Sequence, residues 1–302
     1  MTPNDQIVLI DGYGQIYRAF HGMPVLTNPR GEPINALYGL ARFLLNLDTA
    51  YPHEFGAVVF DKGPPRKRLE LLPEYKAQRP PMPDELRSQL PPIREWVEAA
   101  GWPIVEEDGR EADDLIAALV ELREERQVYI VSHDKDLGQL VGDAVIQLIP
   151  DKLSGKSRLR EVNGAAIELK LGVAPPAVAD YLALIGDSSD NIPGVAGVGP
   201  KTAAALLQQF GDLETMLNHP ERIGKAALRD KIEKSRELLQ KNRQLIWLDR
   251  TPPEGWNGLA GLRRRPPDWP RLREFALRNQ FKSLLPVIEQ GLRDSRNPML
   301  PL

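Results

Sequence analysis

The chain reads as an α/β protein with a mostly parallel central sheet flanked by helices, followed by a mainly helical second part. Three observations predict this. Short apolar runs rich in β-branched residues recur through the first 150 residues, and aspartates stand at or near their ends. Amphipathic helical patterns separate those runs, and after Pro150 the strand signal gives way to helix.

Taken in order, QIVLID (Gln6–Asp11), GAVVFD (Gly56–Asp61) and QVYIVSHD (Gln127–Asp134) predict buried strands, and AVIQLI (Ala144–Ile149) a shorter one. Ile34–Leu47 and Ala112–Glu125 carry apolar residues at three- and four-residue spacing and predict helices. KGPPRKR (Lys62–Arg68), basic and proline-rich, predicts a loop. DELRSQLPPIREWVEAAG (Asp84–Gly101) is amphipathic but interrupted by Pro91 and Pro92. That pattern fits a broken helix standing off the sheet as an arch, and equally a kinked surface helix. Beyond Pro150, helices are expected at Gly164–Leu171, Pro175–Ile185, Lys201–Phe210, Lys225–Arg243 and Arg271–Asn279. The stretch TPPEGWNGLAGLRRRPPDWP (Thr251–Pro270) predicts a tether for the last helices.

With 302 residues, 42% hydrophobic and 27% charged, the chain has the composition of a soluble globular protein of one large or two modest domains. No apolar run approaches the roughly 18 residues needed to span a bilayer, and MTPNDQ lacks the pattern of a signal peptide. A cytoplasmic protein without membrane contact is expected. The absence of cysteine excludes disulfides and thiolate metal sites. The net charge of −3 hides an asymmetry: residues 221–302 hold 18 Lys and Arg against 10 Asp and Glu, whereas residues 1–220 hold 21 against 32. An acidic front and a basic rear suit a protein that holds cations in one half and a polyanion in the other.

The acidic residues recur at element ends. Asp11 and Asp61 close two strands, Asp134 and Asp136 follow a third, and EADD places Glu111, Asp113 and Asp114 at a helix start, where the helix dipole tolerates anions. Asp187 and Asp190 complete a set of nine. A single strand-end aspartate is usually a turn former or a cap. Ligands of an open parallel sheet, however, bind beyond the carboxyl ends of its strands, and nine converging carboxylates require cations to neutralise them. An all-oxygen donor set, with His21, His53, His133 and His219 scattered singly, favours Mg²⁺ or Mn²⁺ over zinc. Two such ions suit an in-line displacement at phosphorus.

Two basic features follow. GVAGVG (Gly194–Gly199), then PKTAAALL, puts glycines where a backbone must turn, and Lys201 and Thr202 at a helix start whose N–H groups can meet a phosphate. The pattern fits a helix–hairpin–helix that grips a nucleic-acid backbone, or a tight helix–helix connection. EYKAQR sets Lys76 and Arg79 three apart beside Tyr75, an aromatic and cations suited to a single strand or frayed end.

Together these segments resemble the 5′-nuclease family: the 5′–3′ exonuclease domain of bacterial DNA polymerase I, stand-alone 5′ nucleases and flap endonucleases. The motifs are DGYGQIYRAFHG, FDKGPPRKRLELLPEYKAQRPPMPDELR, GREADDLIA, SHDKDLGQLV and LIGDSSDNIPGVAGVGPKTAAALLQQFG, in family order across roughly residues 6 to 250. The resemblance implies a PIN-like or resolvase-like domain over residues 1–172, with a helical arch at about 75–101. It implies a helical duplex-binding region with a helix–two-turn–helix and C-terminal helices over 173–302.

It also implies a two-metal phosphodiesterase acting on 5′ flaps, nicked or gapped duplex, 5′ ends or RNA–DNA primers in replication and repair. Asp11, Asp61, Glu111, Asp113 and Asp114 would surround the tighter metal, and Asp134, Asp136, Asp187 and Asp190 the second. Lys76 and Arg79 would steady the scissile phosphate, with Arg18 and Arg68 as further phosphate contacts. Gly194, Gly197, Gly199, Lys201 and Thr202 would hold duplex around a monovalent cation such as K⁺. A monomer working beside a polymerase and a ligase is implied. The sequence departs from the family pattern at His133 and Lys67, and from Asn257 onward no match is found. With no polymerase part, the chain is expected to be a free-standing nuclease or a domain of a longer protein. The rival readings are a non-catalytic branched-DNA-binding protein of the same fold and a PIN-type ribonuclease.

Overall fold

The computed structural model describes residues 6–151 and 158–296; the outermost residues of both expected domains lie outside that range. Six strands, β1 (Gln6–Asp11), β2 (Phe55–Val59), β3 (Ile104–Val105), β4 (Gln127–Val131), β5 (Val145–Asp151) and β6 (Arg158–Val162), form one sheet in the order β3-β2-β1-β4-β5-β6. All neighbours run parallel except β5 and β6. The strand order reverses between β1 and β4, so a crevice opens beyond their carboxyl ends. Asp11, Asp61 and Asp134 stand there.

The pleat sorts alternate residues to two cores. Val8, Ile10, Val58 and Val131 pack under helices Asn35–Ala50 and Leu90–Ala99. On the opposite face, Ile7, Leu9, Val59 and Ile130 meet Leu115, Ile116 and Leu119 of helix Ala112–Val120. A third core joins Val178–Ile185, Pro200–Phe210 and Arg236–Ile246 in the helical part.

Several expectations change. The segment at about 75–101 is not a free-standing helical arch. It turns over residues 73–79, forms one short helix at Asp84–Arg87, then enters helix Leu90–Ala99, which buries Ile93, Trp96 and Val97 completely. Pro91 and Pro92 sit in that helix's first turn, where a missing N–H costs nothing, so they begin the helix rather than break it. The expected loop Lys62–Arg68 ends in a helix, Arg66–Leu71, for which Pro65 stands at the N-cap. The expected helix Lys225–Arg243 is two, Ala226–Lys234 and Arg236–Ile246, parted at Ser235.

The expected tether is packed, and it alters the domain division. Arg264 lies over Trp102 (4.1 Å to the ring centroid) and bonds both oxygens of Asp48 (2.6 and 3.1 Å) and the Ala100 carbonyl (2.9 Å). Helices Trp269–Arg278 and Leu285–Arg296 then pack against the α/β domain, where Phe275 and Phe281 meet Trp96. The C-terminal helices therefore belong with the first core, not with the helical region that precedes them.

Candidate metal centre and nucleic-acid interface

The centre starts at the end of β1. Asp11 caps helix Gly12–Gly22, its Oδ1 accepting from Gly14 N–H at 2.8 Å, and its Oδ2 accepts from the Ser132 hydroxyl at 2.8 Å. A Cβ on Gly14 would stand 2.2 Å from that Oδ2, which is why the motif reads DGYG. Asp61 accepts the Ala112 N–H at 2.6 Å and thereby ties the end of β2 to the start of helix Ala112–Val120. Ser132 also accepts Asp134 N–H (3.0 Å), and Asp134 accepts Asp136 N–H (2.9 Å), which folds SHDKD into a tight turn.

These contacts gather Asp11, Asp61, Glu111, Asp113 and Asp134 around one cleft of about 350 Å³, with Lys76, Arg79, Tyr13 and Tyr17 also in its wall. Asp136, Asp187 and Asp190 form a second group alongside, each at most 6% exposed, with ligand atoms within 4.8 Å of one another. Their hairpin is shaped by Gly186 at φ +80° and by Asp187 accepting the Ser189 N–H (2.9 Å) and hydroxyl (2.5 Å). Glu111, Asp113 and Asp114 offer ligand atoms within 4.8 Å of one another, and Asp114 also bonds away from the cleft. Both of its oxygens bond Arg68, and it accepts Asp249 N–H at 2.8 Å, in the wall of a separate cavity of about 580 Å³.

Two residues expected at the nucleic acid are instead inside the protein. Arg68 is 6% exposed and donates to Glu111 (2.6 Å), to Asp114 (2.6 and 3.0 Å) and to the Leu245 carbonyl (2.8 Å). Three carboxylates close by outbid a phosphate for this guanidinium. Tyr75, 4% exposed, cannot stack a base. Its hydroxyl donates to Asp190 (2.8 Å) and lies 3.2 Å from Glu111, so it bridges the two acidic groups. Arg18 is partly buried and among the described residues has no carboxylate partner.

Lys76 takes the left-handed conformation at φ +56°, uncommon for a long side chain. The hairpin imposes it: Lys76 N–H donates to Asp190 O (3.1 Å), Asn191 reaches Glu74 O (2.7 Å) and Gln78 reaches Ser188 O (2.9 Å). So held, Lys76 Nζ bonds Glu111 and stands 3.5 Å from Asp190, while Arg79 donates to Asp190 at 2.7 Å.

The protonation balance follows. Burial pushes Asp11, Asp61, Asp113, Asp134 and Asp136 above the usual carboxylate range, Asp113 and Asp136 far above it, and neighbouring carboxylates add to the rise. Burial also opposes the charge on Glu111, yet Arg68 and Lys76 hold it below that range. Asp187 is likewise held low against burial by Lys135 and Ser189. Asp136 Oδ1 is buried with no hydrogen-bond partner. A buried carboxyl oxygen without a partner, in a group of carboxylates forced toward neutrality, is a donor set that fits a divalent cation. None of the four histidines lines the cleft.

Sequence reading missed Ser132, Ser189 and Lys135 as parts of the centre. All three lie within the quoted motifs, and alternation of sign in DKD was a further signal for Lys135. Downstream, Val195 and Val198 anchor the glycine hairpin in the helical core, Gly197 turns at φ +78°, and Pro200 opens the helix that carries Lys201 and Thr202.

The model of the 5′–3′ exonuclease N-terminal resolvase-like domain matches residues 6–172, and that of the 5′–3′ exonuclease C-terminal SAM fold matches 173–268. A 5′–3′ exonuclease of Aquifex aeolicus is 36% identical over 96% of the chain and 97% of its own length. The thermostable DNA polymerase I of Thermus aquaticus is 39% identical over 97% of the chain, which spans only 34% of that enzyme. A T5 5′-exonuclease structure with bound zinc ions superposes with a TM-score of 0.64 at 26% identity, covering 81% of this chain and 90% of that one.

Proposed function

The chain belongs to the 5′–3′ exonuclease family, and from that premise we propose that it is a divalent-metal-dependent, structure-specific 5′ nuclease. Its substrates are 5′ flaps, 5′ ends at nicks or gaps, and RNA primers. One observation carries this reading: nine carboxylates from five chain segments meet in and beside one cleft, with Lys76 and Arg79 at its wall.

Asp11, Asp61, Glu111 and Asp113 would hold one Mg²⁺ or Mn²⁺, and Asp136, Asp187 and Asp190 another, with Asp134 between the two groups. Ions held there supply the Lewis acidity and activated water for in-line displacement at phosphorus. The chain's own residues do the rest. Lys76 and Arg79 are already ordered by Glu111 and Asp190, so they meet an entering phosphate at little entropic cost. Arg18, without a carboxylate partner, is available as a further phosphate contact. Asp114 serves by fixing Arg68, which in turn fixes Glu111. The hairpin from Gly194 to Lys201, with a K⁺ ion, holds duplex at a set distance from Asp187 and Asp190, since a few residues of packed backbone separate the two.

No helix among the described residues is long and apolar enough to cross a membrane. A cytoplasmic monomer acting beside a polymerase and a ligase suits this activity. The test is a product map on a 5′-labelled flap with and without Mg²⁺, for the native chain and Asp187→Ala. Cutting should need the metal and vanish in the variant while duplex binding persists. Equal loss of cutting and binding in Asp187→Ala would contradict separate roles for centre and hairpin.

A further inference from the structure

Each acidic group at the centre already carries an ammonium. Lys76 serves Glu111 and reaches toward Asp190. Lys135 serves the second group, with Nζ 2.7 Å from Asp187 Oδ1 and 3.2 Å from the Ser189 hydroxyl. The tight DKD turn places it there, because Asp136 N–H folds back onto Asp134 and Lys135 reaches across to the hairpin. Asp187 Oδ1 is thereby saturated by three donors, Lys135 Nζ and the N–H and hydroxyl of Ser189. Asp136 Oδ1, in the same group, has none.

We infer that Lys135 is a tethered counter-ion of the Asp136–Asp187–Asp190 group: it neutralises Asp187 in the metal-free protein and yields that oxygen when a divalent ion binds. The inference rests on the reading of this group as a divalent-ion site. A dication shared by the three carboxylates would lie within a few ångströms of the ammonium, and like charges so close in a partly buried setting repel strongly. Withdrawal is open to Lys135, whose side chain is 41% exposed, but much less so to Lys76 at 20%. Two consequences follow. The metal-free protein tolerates three buried carboxylates without an ion, and the second ion binds more weakly than the triad alone would hold it.

The test titrates the full chain with Mn²⁺, read by electron paramagnetic resonance, for the native protein, Lys135→Met and Lys135→Arg. Melting curves in EDTA and in saturating Mn²⁺ accompany it. Lys135→Met should bind its weaker class of Mn²⁺ about tenfold more tightly. It should melt lower than the native chain in EDTA, yet gain more from Mn²⁺. Lys135→Arg, which keeps the charge, should behave as native, and Lys135→Gln replaces the methionine variant if that fails to fold. A native chain that binds Mn²⁺ alongside a Lys135→Met with equal or weaker affinity would overturn the inference alone. A native chain that binds no Mn²⁺ would overturn the metal-site reading and this inference with it.

Discussion

Replacing Arg68 by leucine separates two roles that the sequence could not distinguish. If the guanidinium holds the acidic centre together, the variant loses stability; if it binds DNA phosphate, the variant loses affinity at unchanged stability. The structure predicts the first. Arg68 has a side chain 8% exposed and donates to Glu111, Asp114 and the Leu245 carbonyl. Without it, Glu111 keeps Lys76, but Asp114 keeps only the Asp249 N–H. Removing one partner of a buried ion pair costs about 3–5 kcal/mol, because the other charge stays buried. Asp114 should account for most of that cost.

Leucine at both positions should therefore recover much of the loss, with a coupling of about 2 kcal/mol or more in the double-mutant cycle. Urea unfolding followed by tryptophan fluorescence, in EDTA so that metal loss does not contribute, measures each term. A loss below about 1 kcal/mol for Arg68→Leu, together with weakened flap binding, would refute the structural role.

Two further outcomes are expected. His53 has a fully buried ring that donates from Nδ1 to Tyr51 O (2.6 Å) and has Arg264 3.3 Å from Nε2; burial, then Arg264, lowers its pKa to about 4. A depressed histidine makes its contribution above the unfolded value of about 6.5 and loses it as pH falls toward 4, a span of ~3 kcal/mol. His53→Gln should flatten that limb of a urea-midpoint profile between pH 7 and 4.5, and an unchanged slope would count against it. Gly14→Ala should lower Mn²⁺ affinity by roughly tenfold or more, as outer partners of metal ligands do, since the new Cβ collides with Asp11 Oδ2. Helix propensity alone favours alanine there by about 1 kcal/mol, so a more stable variant with native affinity would show that the clash relaxes freely.

The alternation of strands and helices, the carboxylates at their ends and the glycine hairpin were legible from local sequence. These are local: a strand fixes where its last residue stands, and the end of a parallel strand is where a ligand can sit. Which way a side chain turns depended on long-range packing. Arg68 and Tyr75 lie in basic, aromatic sequence that reads as a nucleic-acid contact, yet both point inward, because buried carboxylates bind a guanidinium and a hydroxyl more strongly than solvent does. Asp114 and Lys135 were sorted in the same manner by partners more than 45 residues away. The C-terminal helices likewise returned to the first core because Phe275 and Phe281 found Trp96, a match between surfaces far apart in sequence that no local pattern records.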